Sequence, residues 1–403
     1  MKMSLLVIAP HPDDEILGAG SIMARVVADG GRVAVVVLTD GAKSNPMIES
    51  SKMANIRERE CIAGLTEMID APVPMLFLRH SDGLLDSTDP DHSVTSKLYL
   101  FCKDFAPDTI LVTDPADGHS DHKAAFGIAT RLISAGLANE LQVMPISQRI
   151  DKKFDRAGYN EISVNHHKRK KTRALSLHVS QLGESSGFTL SRAVQIAFCE
   201  TEYLKCVYDR GGLQNDVICP SHFDELFSAS ADPWGYDVEP YEADRFGRTI
   251  AALADRRYQN ALELGCANGA LTAQLAPLCE RLVATDASKV ALTKARARLK
   301  GVGGLEFQHC ILPTEVPLER FDLIVASDVL YYLGLKGVIA LMARIDAVAT
   351  QNCRVLIASF LGPTDTRLTG EMASEAAIAH LVGWRRTHTE RTERLRMDVL
   401  ERR

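Results

Sequence analysis

Apolar residues in this chain fall into short unbroken runs, and between the runs they recur at three- and four-residue spacing. Leu5-Leu6-Val7-Ile8-Ala9 and Thr109-Ile110-Leu111-Val112-Thr113 are β-prone and apolar on both faces, as strands buried within a parallel sheet are. Arg32 to Thr39 and Pro74 to Leu78 read as two further strands. Ile16, Leu17, Ile22, Met23 and Val26 mark a helix over Ile16 to Val27, and a second helix is expected over Lys123 to Ile133. The same alternation returns later in the chain. Ala261 to Leu264, Arg281 to Thr285, Leu305 to Gln308 and Phe321 to Ala326 read as strands, with helices over Ala270 to Leu275 and Ser288 to Leu299.

The predicted fold class is therefore α/β, with two Rossmann-like domains in tandem, each a mostly parallel sheet flanked by helices. Val143 to Ile150 is read as extended, and Leu190 to Val207 as a helix closing the first domain. Asp209-Arg210-Gly211-Gly212 supplies turn residues for a linker, which sets the expected domains at 1–212 and 213–403. A length of 403 residues suits two or three domains.

Chemistry concentrates where two of the strands end. The first runs into Pro10-His11-Pro12-Asp13-Asp14-Glu15, and the strand ending at Thr113 runs into Asp114-Pro115-Ala116-Asp117-Gly118-His119-Ser120-Asp121-His122. Loops at the carboxyl ends of strands face the crevice of an open α/β sheet, so the two can converge. His11 and Asp14 are three apart, as are His119 and His122, and at a helix start that spacing projects two side chains to one side. Two imidazoles and one carboxylate, with a position left for water, form the ligand set of a catalytic zinc site. Acids in a first helical turn are also favourable against the helix dipole. Two histidine-bearing loops at equivalent points of two βα units are hard to explain by capping alone.

These residues resemble the PIG-L/LmbE-like zinc-dependent N-deacetylases, which hydrolyse N-acetyl groups on glucosamine-type sugars. The likeness extends to Thr39-Asp40-Gly41, to a helix beginning Arg57-Glu58-Arg59-Glu60, and to Lys171 to Gln181, which carries the Ala-Leu-x-x-His-x-Ser-Gln pattern. It covers about half the chain. The resemblance implies His11, Asp14 and His122 as ligands for Zn2+ or another divalent metal, Asp13 as general base, and His119 as the group that polarises the carbonyl. It also makes Arg57 a candidate for gripping substrate hydroxyls or phosphate; a solvated helix charge is the competing reading. His80, Asp82 and His92 could be extra metal ligands, but no spacing ties them to the main site, and they are read instead as lining the sugar pocket.

In the second half, Glu263-Leu264 feeds Gly265-Cys266-Ala267-Asn268-Gly269, a turn whose glycines let backbone approach a ligand. It is neither a Walker A loop nor G-x-G-x-x-G, and alone it is weak evidence. Asp286, at the end of the next strand, stands about 20 residues beyond the glycines, where a ribose-hydroxyl acceptor belongs. The series is similar to class I S-adenosylmethionine-dependent methyltransferases. Ala231-Asp232-Pro233-Trp234, Leu264 to Ala267 and Asp328-Val329-Leu330-Tyr331-Tyr332-Leu333 narrow the resemblance to NodS-like N-methyltransferases, which act on chitooligosaccharide amines. It implies a cofactor site formed by Glu263, Gly265, Gly269, Asp286 and Asp328, with Asp328 and the tyrosines near the methyl group. Strand-end packing is the plain alternative for Asp328, Tyr331 and Tyr332. Where the family pattern has an acid after its third strand, this chain reads His309-Cys310-Ile311, so weakened cofactor affinity or lost activity is one expectation.

Composition narrows the partners. A net charge of −6 argues against non-specific nucleic-acid binding. Asp151 to Arg173 carries eight basic residues against three acidic; its His166 to Lys171 run invites a nucleic-acid reading, but beside a net-acidic domain it is read as a solvated loop. Nine cysteines without a C-x-x-C pair suggest reduced thiols, and no apolar stretch reaches membrane-spanning length, so a cytoplasmic enzyme is expected. The combined expectation is a bifunctional enzyme that deacylates an amino sugar, small or oligomeric, and methylates an amine on the same or a related glycan. In the alternative, only one half is catalytic and the other is a binding, regulatory or scaffold module.

Overall fold

A computed structural model describes residues 2–88, 93–150, 154–182, 192–211 and 217–402. His92, Leu190 and Gly212 lie outside the described residues. The chain divides into two compact units, Met1–Leu213 and Gln214–Arg403.

The first unit runs β1 (Ser4–Ala9), α1 (Asp14–Ala28), β2 (Arg32–Thr39), α2 (Ser50–Met68), β3 (Met75–His80), α3 (Ser93–Phe105), β4 (Thr109–Thr113), α4 (Ser120–Ser134) and β5 (Glu140–Met144). It continues through α5 (Ser147–Ile150), β6 (Asn160–Ser163), α6 (Lys168–Ser176), α7 (Arg192–Phe198) and β7 (Thr201–Asp209). Its sheet has the order β3-β2-β1-β4-β5-β7-β6. The first five strands are parallel, and β7 pairs antiparallel with β5 and β6. Every residue of β1 and β4 is buried, which explains their unbroken apolar runs. Val7, Val35, Val37 and Leu111 pack on Ile16, Leu17 and Met23 of α1.

The second unit runs α8 (Pro220–Ala229), α9 (Pro240–Leu253), β8 (Tyr258–Leu264), α10 (Ala270–Leu275), β9 (Cys279–Asp286), α11 (Lys289–Arg298), β10 (Leu305–His309) and β11 (Phe321–Ser327). Then follow α12 (Gly334–Val348), β12 (Ala349–Phe360), α13 (Gly370–His380), β13 (Trp384–Arg391) and β14 (Leu395–Arg402). The sheet order β10-β9-β8-β11-β12-β14-β13 repeats that of the first unit, with the last two strands antiparallel. Both units are Rossmann-like and mostly parallel, the predicted fold class.

Four local expectations need correction. The extended reading of Val143 to Ile150 fails after Met144: Asp117 accepts from the amides of Ile146 and Gln148 and turns the chain into α5. The helix over Leu190 to Val207 is confined to α7, because Tyr203, Leu204, Val207 and Tyr208 are β-prone and buried in β7. The helix said to begin at Arg57 begins at Ser50. The basic run is no solvated loop from Lys168 onward; it forms α6, and Lys171 is fully buried against Glu202.

Candidate functional site

Parallel pairing of β1 with β4, with Ile8 opposite Val112, brings the loops after the two strands out side by side. Asp14 Oδ2 lies 3.3 Å from His11 Nδ1 and 3.5 Å from His122 Nε2, and it accepts the His11 amide at 3.0 Å. The His119 ring stands edge-on to His11, with centroids 4.7 Å apart, and 5.2 Å from His122. One ring nitrogen from each of the three histidines lies within 4.8 Å of the others, a spacing that one ion can span.

Carboxylates fix these rings from behind. Asp117 Oδ2 holds His122 Nδ1 at 2.8 Å, which leaves Nε2 toward Asp14, the arrangement that orients a ligating histidine. Asp121 Oδ2 sits 2.9 Å from His11 Nε2 and Asp82 Oδ1 3.4 Å from it. His11, Asp82 and Asp121 form a second group able to hold an ion. Asp121 also accepts the amides of Gly83 and Leu85, so it ties the loop after β3 onto the site.

Protonation follows from this crowding. Burial alone would lower His11, but Asp121, Asp14 and Asp82 hold it well above its ordinary value. Burial likewise opposes the charge on His122, yet Asp14 and Asp117 raise it to about 9. Asp14 itself is held far below the usual carboxylate range, burial being outweighed by His122 and His11. His119 is exposed, and partial desolvation and the two neighbouring imidazoles lower it. The Asp121 amide donates to His119 Nδ1 at 3.2 Å, so a neutral His119 carries its proton on Nε2.

Asp13 has φ 142°, a conformation that a non-glycine residue adopts only when its surroundings impose it. Its amide donates to Glu15 Oε2 at 3.0 Å, and Oδ2 lies 3.1 Å from Arg57 Nη2 without an aligned hydrogen bond. Burial lifts Asp13 to about 6 against the pull of Arg57. Burial and Asp13 push Glu15 to about 8, and Cys61 Sγ sits 3.2 Å from Glu15 Oε1. Arg57 is buried rather than solvated: it donates to the Pro12 carbonyl, beneath the Asp13 loop. Gly41 makes room for it, since a Cβ there would stand 2.9 Å from Pro12 Cδ and 3.3 Å from Arg57 Cζ.

In the second unit, Gly265, Asp286 and Asp328 line a cavity of about 600 Å³ walled by Trp234, Tyr236, Tyr241, Tyr331 and Tyr332. Asp286 is held ready by the amides of Ala267 and Ser288, at 2.9 and 2.8 Å. Burial raises its carboxyl above the ordinary value. Glu263 and Gly269 are not among the cavity-lining residues. Glu263 is buried beneath, raised to about 7 by burial, and a Cβ on Gly269 would meet Ala295 of α11 at 3.1 Å. Both oxygens of Asp328 are engaged, Oδ2 by Arg245 at 3.0 Å and Oδ1 by the Phe360 amide and the Tyr331 hydroxyl at 2.6 and 3.2 Å. Cys310 and Ile311 give the cavity an apolar patch where the family pattern has an acid.

Sequence reasoning did not single out Asp117, Asp121, Glu15 or the Glu242–Arg245 pair. The first three stand inside or beside the motifs already quoted and show up there only as further acids. Nothing local marks the pair.

The comparisons divide as the units do. The family model described as GlcNAc-PI de-N-acetylase matches residues 6–133, and that of Nodulation protein S (NodS) matches residues 224–357. The chain is a PIG-L-like unit followed by a NodS-like unit. Nodulation protein S of Bradyrhizobium diazoefficiens is 35% identical over 145 residues, covering 36% of this chain and 64% of that protein. The 1D-myo-inositol 2-acetamido-2-deoxy-alpha-D-glucopyranoside deacetylase of Rhodococcus opacus is 28% identical over 157 residues, 32% of this chain and 53% of that one. The chain thus spans less than two thirds of either relative. Among solved structures, the N-methyltransferase NodS from Bradyrhizobium japonicum WM9 in complex with S-adenosyl-l-homocysteine covers 45% of this chain and 97% of its own, with 22% identity and a TM-score of 0.40. Among the described residues, no helix is long and apolar enough to cross a membrane.

Proposed function

We propose that the PIG-L-like unit removes an N-acyl group from a glucosamine-like sugar with the help of a divalent metal, and that the NodS-like unit methylates an amine on the same or a related glycan from S-adenosylmethionine. The observation that carries the first half is the convergence of His11, Asp14 and His122 around one carboxylate oxygen. This donor set fits a divalent cation: buried carboxylates outnumber the fixed cations near them, and without metal the balance falls to protons on His11 and His122. A bound metal supplies a Lewis acid and a water of lowered pKa. Asp13, raised yet still ionised at neutral pH, accepts a proton from water; His119, lowered and with no hydrogen-bond partner for Nε2 among the described residues, donates to the carbonyl oxygen and then to the departing amine. Arg57 keeps the Asp13 loop in its strained shape.

For the second half, the support is an aromatic cavity lined in part by Asp286, suited to a ribose and a flat base. The cofactor supplies an activated methyl group, and what remains for the protein is alignment and water exclusion. Gly265 lets the chain approach the ligand, and Asp286 takes the ribose hydroxyls. Both activities can be tested together by supplying N-acetylated chito-oligosaccharides and S-adenosylmethionine and following acetate release and N-methylation. Absence of acetate release with metal present would remove the first assignment.

The metal assignment gives an expected stoichiometry of about one divalent ion per chain. His122→Ala should lose the metal and the hydrolytic rate together; full metal content in that variant would break the ligand set. Binding should also weaken in acid. Below about pH 9 the metal-free His122 keeps its proton, and His11 is raised as well, so each must be displaced on binding. One to two protons released per ion means affinity falling roughly 10²- to 10⁴-fold from about pH 8 to about pH 6. A pH-independent dissociation constant by metal titration would contradict this.

A further inference from the structure

Resting on the reading of the NodS-like unit as an amine methyltransferase, we propose that Glu242 receives the ammonium group of the acceptor and takes its proton before methyl transfer. Asp328 stands nearer the strand ends, but Arg245, the Phe360 amide and the Tyr331 hydroxyl already occupy its oxygens. Glu242 is different. It lies on α9 and lines the cavity, 8% exposed, with Oε2 turned back to Arg245 Nε at 2.9 Å. Among the described residues, Oε1 makes no hydrogen bond and is not sealed from solvent. The carboxylate is therefore anchored by one oxygen and offers the other.

Charge counting agrees. Arg245 is shared between two carboxylates, Glu242 and Asp328, and with Asp286, Asp365 and Arg394 also at the cavity wall, four carboxylates stand against two arginines. Such a wall favours a cation. The charged and titratable groups around Glu242 are Arg245 on its own helix, Asp328 after β11, Arg394 between β13 and β14, and the phenols of Tyr236 and Tyr241. Burial raises Glu242 above the ordinary carboxylate value against the pull of Arg245, and a more basic carboxylate is a better proton acceptor.

The step balances. An N–H bond of the primary ammonium breaks and its proton passes to Glu242 Oε1, leaving a neutral amine. The nitrogen lone pair then forms the N–C bond as the C–S bond of S-adenosylmethionine breaks, and that electron pair stays on sulfur as a neutral thioether. The product leaves as an N-methylammonium ion, and Glu242 returns its proton to water.

The test uses the full chain with glucosamine as acceptor. Glu242→Gln should lower kcat/KM by roughly 10²-fold near neutral pH, and the deficit should shrink at high pH where the amine arrives neutral. Its dissociation constant for S-adenosylhomocysteine should stay within about two-fold of wild type. An unchanged rate, or a deficit independent of pH, overturns the role of Glu242 while the methyltransferase reading stands. If the wild type neither binds S-adenosylhomocysteine nor methylates any amine, the reading itself falls and Glu242 with it. Should the Gln variant fail to fold, wild-type calorimetry decides: with S-adenosylhomocysteine bound, glucosamine should bind at least ten-fold more tightly than glucose, and equal affinities overturn the proposal.

Discussion

Asp13→Ala is expected to stop two reactions with one substitution when the substrate is an N-acetylated oligosaccharide. Amide hydrolysis should fall by at least about 10³-fold, the scale of losing a positioned general base. Metal content should be unchanged, because Asp13 faces Arg57 while Asp14 faces the imidazoles. Methylation should stop as well, since an acetamide nitrogen delocalises its lone pair into the carbonyl and is a poor nucleophile. Adding a pre-deacetylated oligosaccharide should restore methylation by the same protein. Asp286→Ala should do the reverse and accumulate free amine. Equal methylation of acetylated substrate by Asp13→Ala, or a methyl group found on oxygen by mass spectrometry, would sink sequential action on one nitrogen.

How much of this was legible in the sequence depends on how local the cause is. β1 and β4 are buried on both faces, so their composition alone identifies them. The loops after them carry their chemistry within a few residues of the strand ends, and parallel pairing of the two strands does the rest. Asp82 was harder. It reaches His11 through the Asp40 carboxylate, the Lys43 amide and the grip of Asp121 on Gly83, none of which leaves a spacing to read. The antiparallel strand β7 was mistaken for helix because its apolar residues fit either period over a short run. Glu242 was invisible for another reason: a Glu three residues before an Arg on a helix is commonplace, and only the engagement of Asp328 by other groups makes it distinctive.

The basic run holds the clearest case of a local pattern misread, and it yields the other large effect. Lys171 and Glu202 are both completely buried and paired. Lys171 Nζ donates to the Leu17 carbonyl at 2.8 Å, while Glu202 accepts the amides of Ser21 and Ile22 at 2.6 and 2.9 Å. Those amides and that carbonyl lie in the interior of α1, so the buried pair hydrogen-bonds directly to the backbone of the helix. Removing one partner leaves an uncompensated buried charge and unsatisfied backbone groups, which costs about 3–5 kcal/mol. In a unit of this size, that is a drop in melting temperature of roughly 6–20 °C. Lys171→Met should show it, and Lys170→Met, whose partner Asp70 is exposed, should stay within about 0.5 kcal/mol of wild type. Because α1 begins at Asp14, loosening it should also weaken metal binding, although Lys171 touches no proposed ligand. Calorimetric melting of the two variants decides the matter: a Lys171→Met protein that melts with the wild type would mean that the buried pair adds nothing to the stability of this unit.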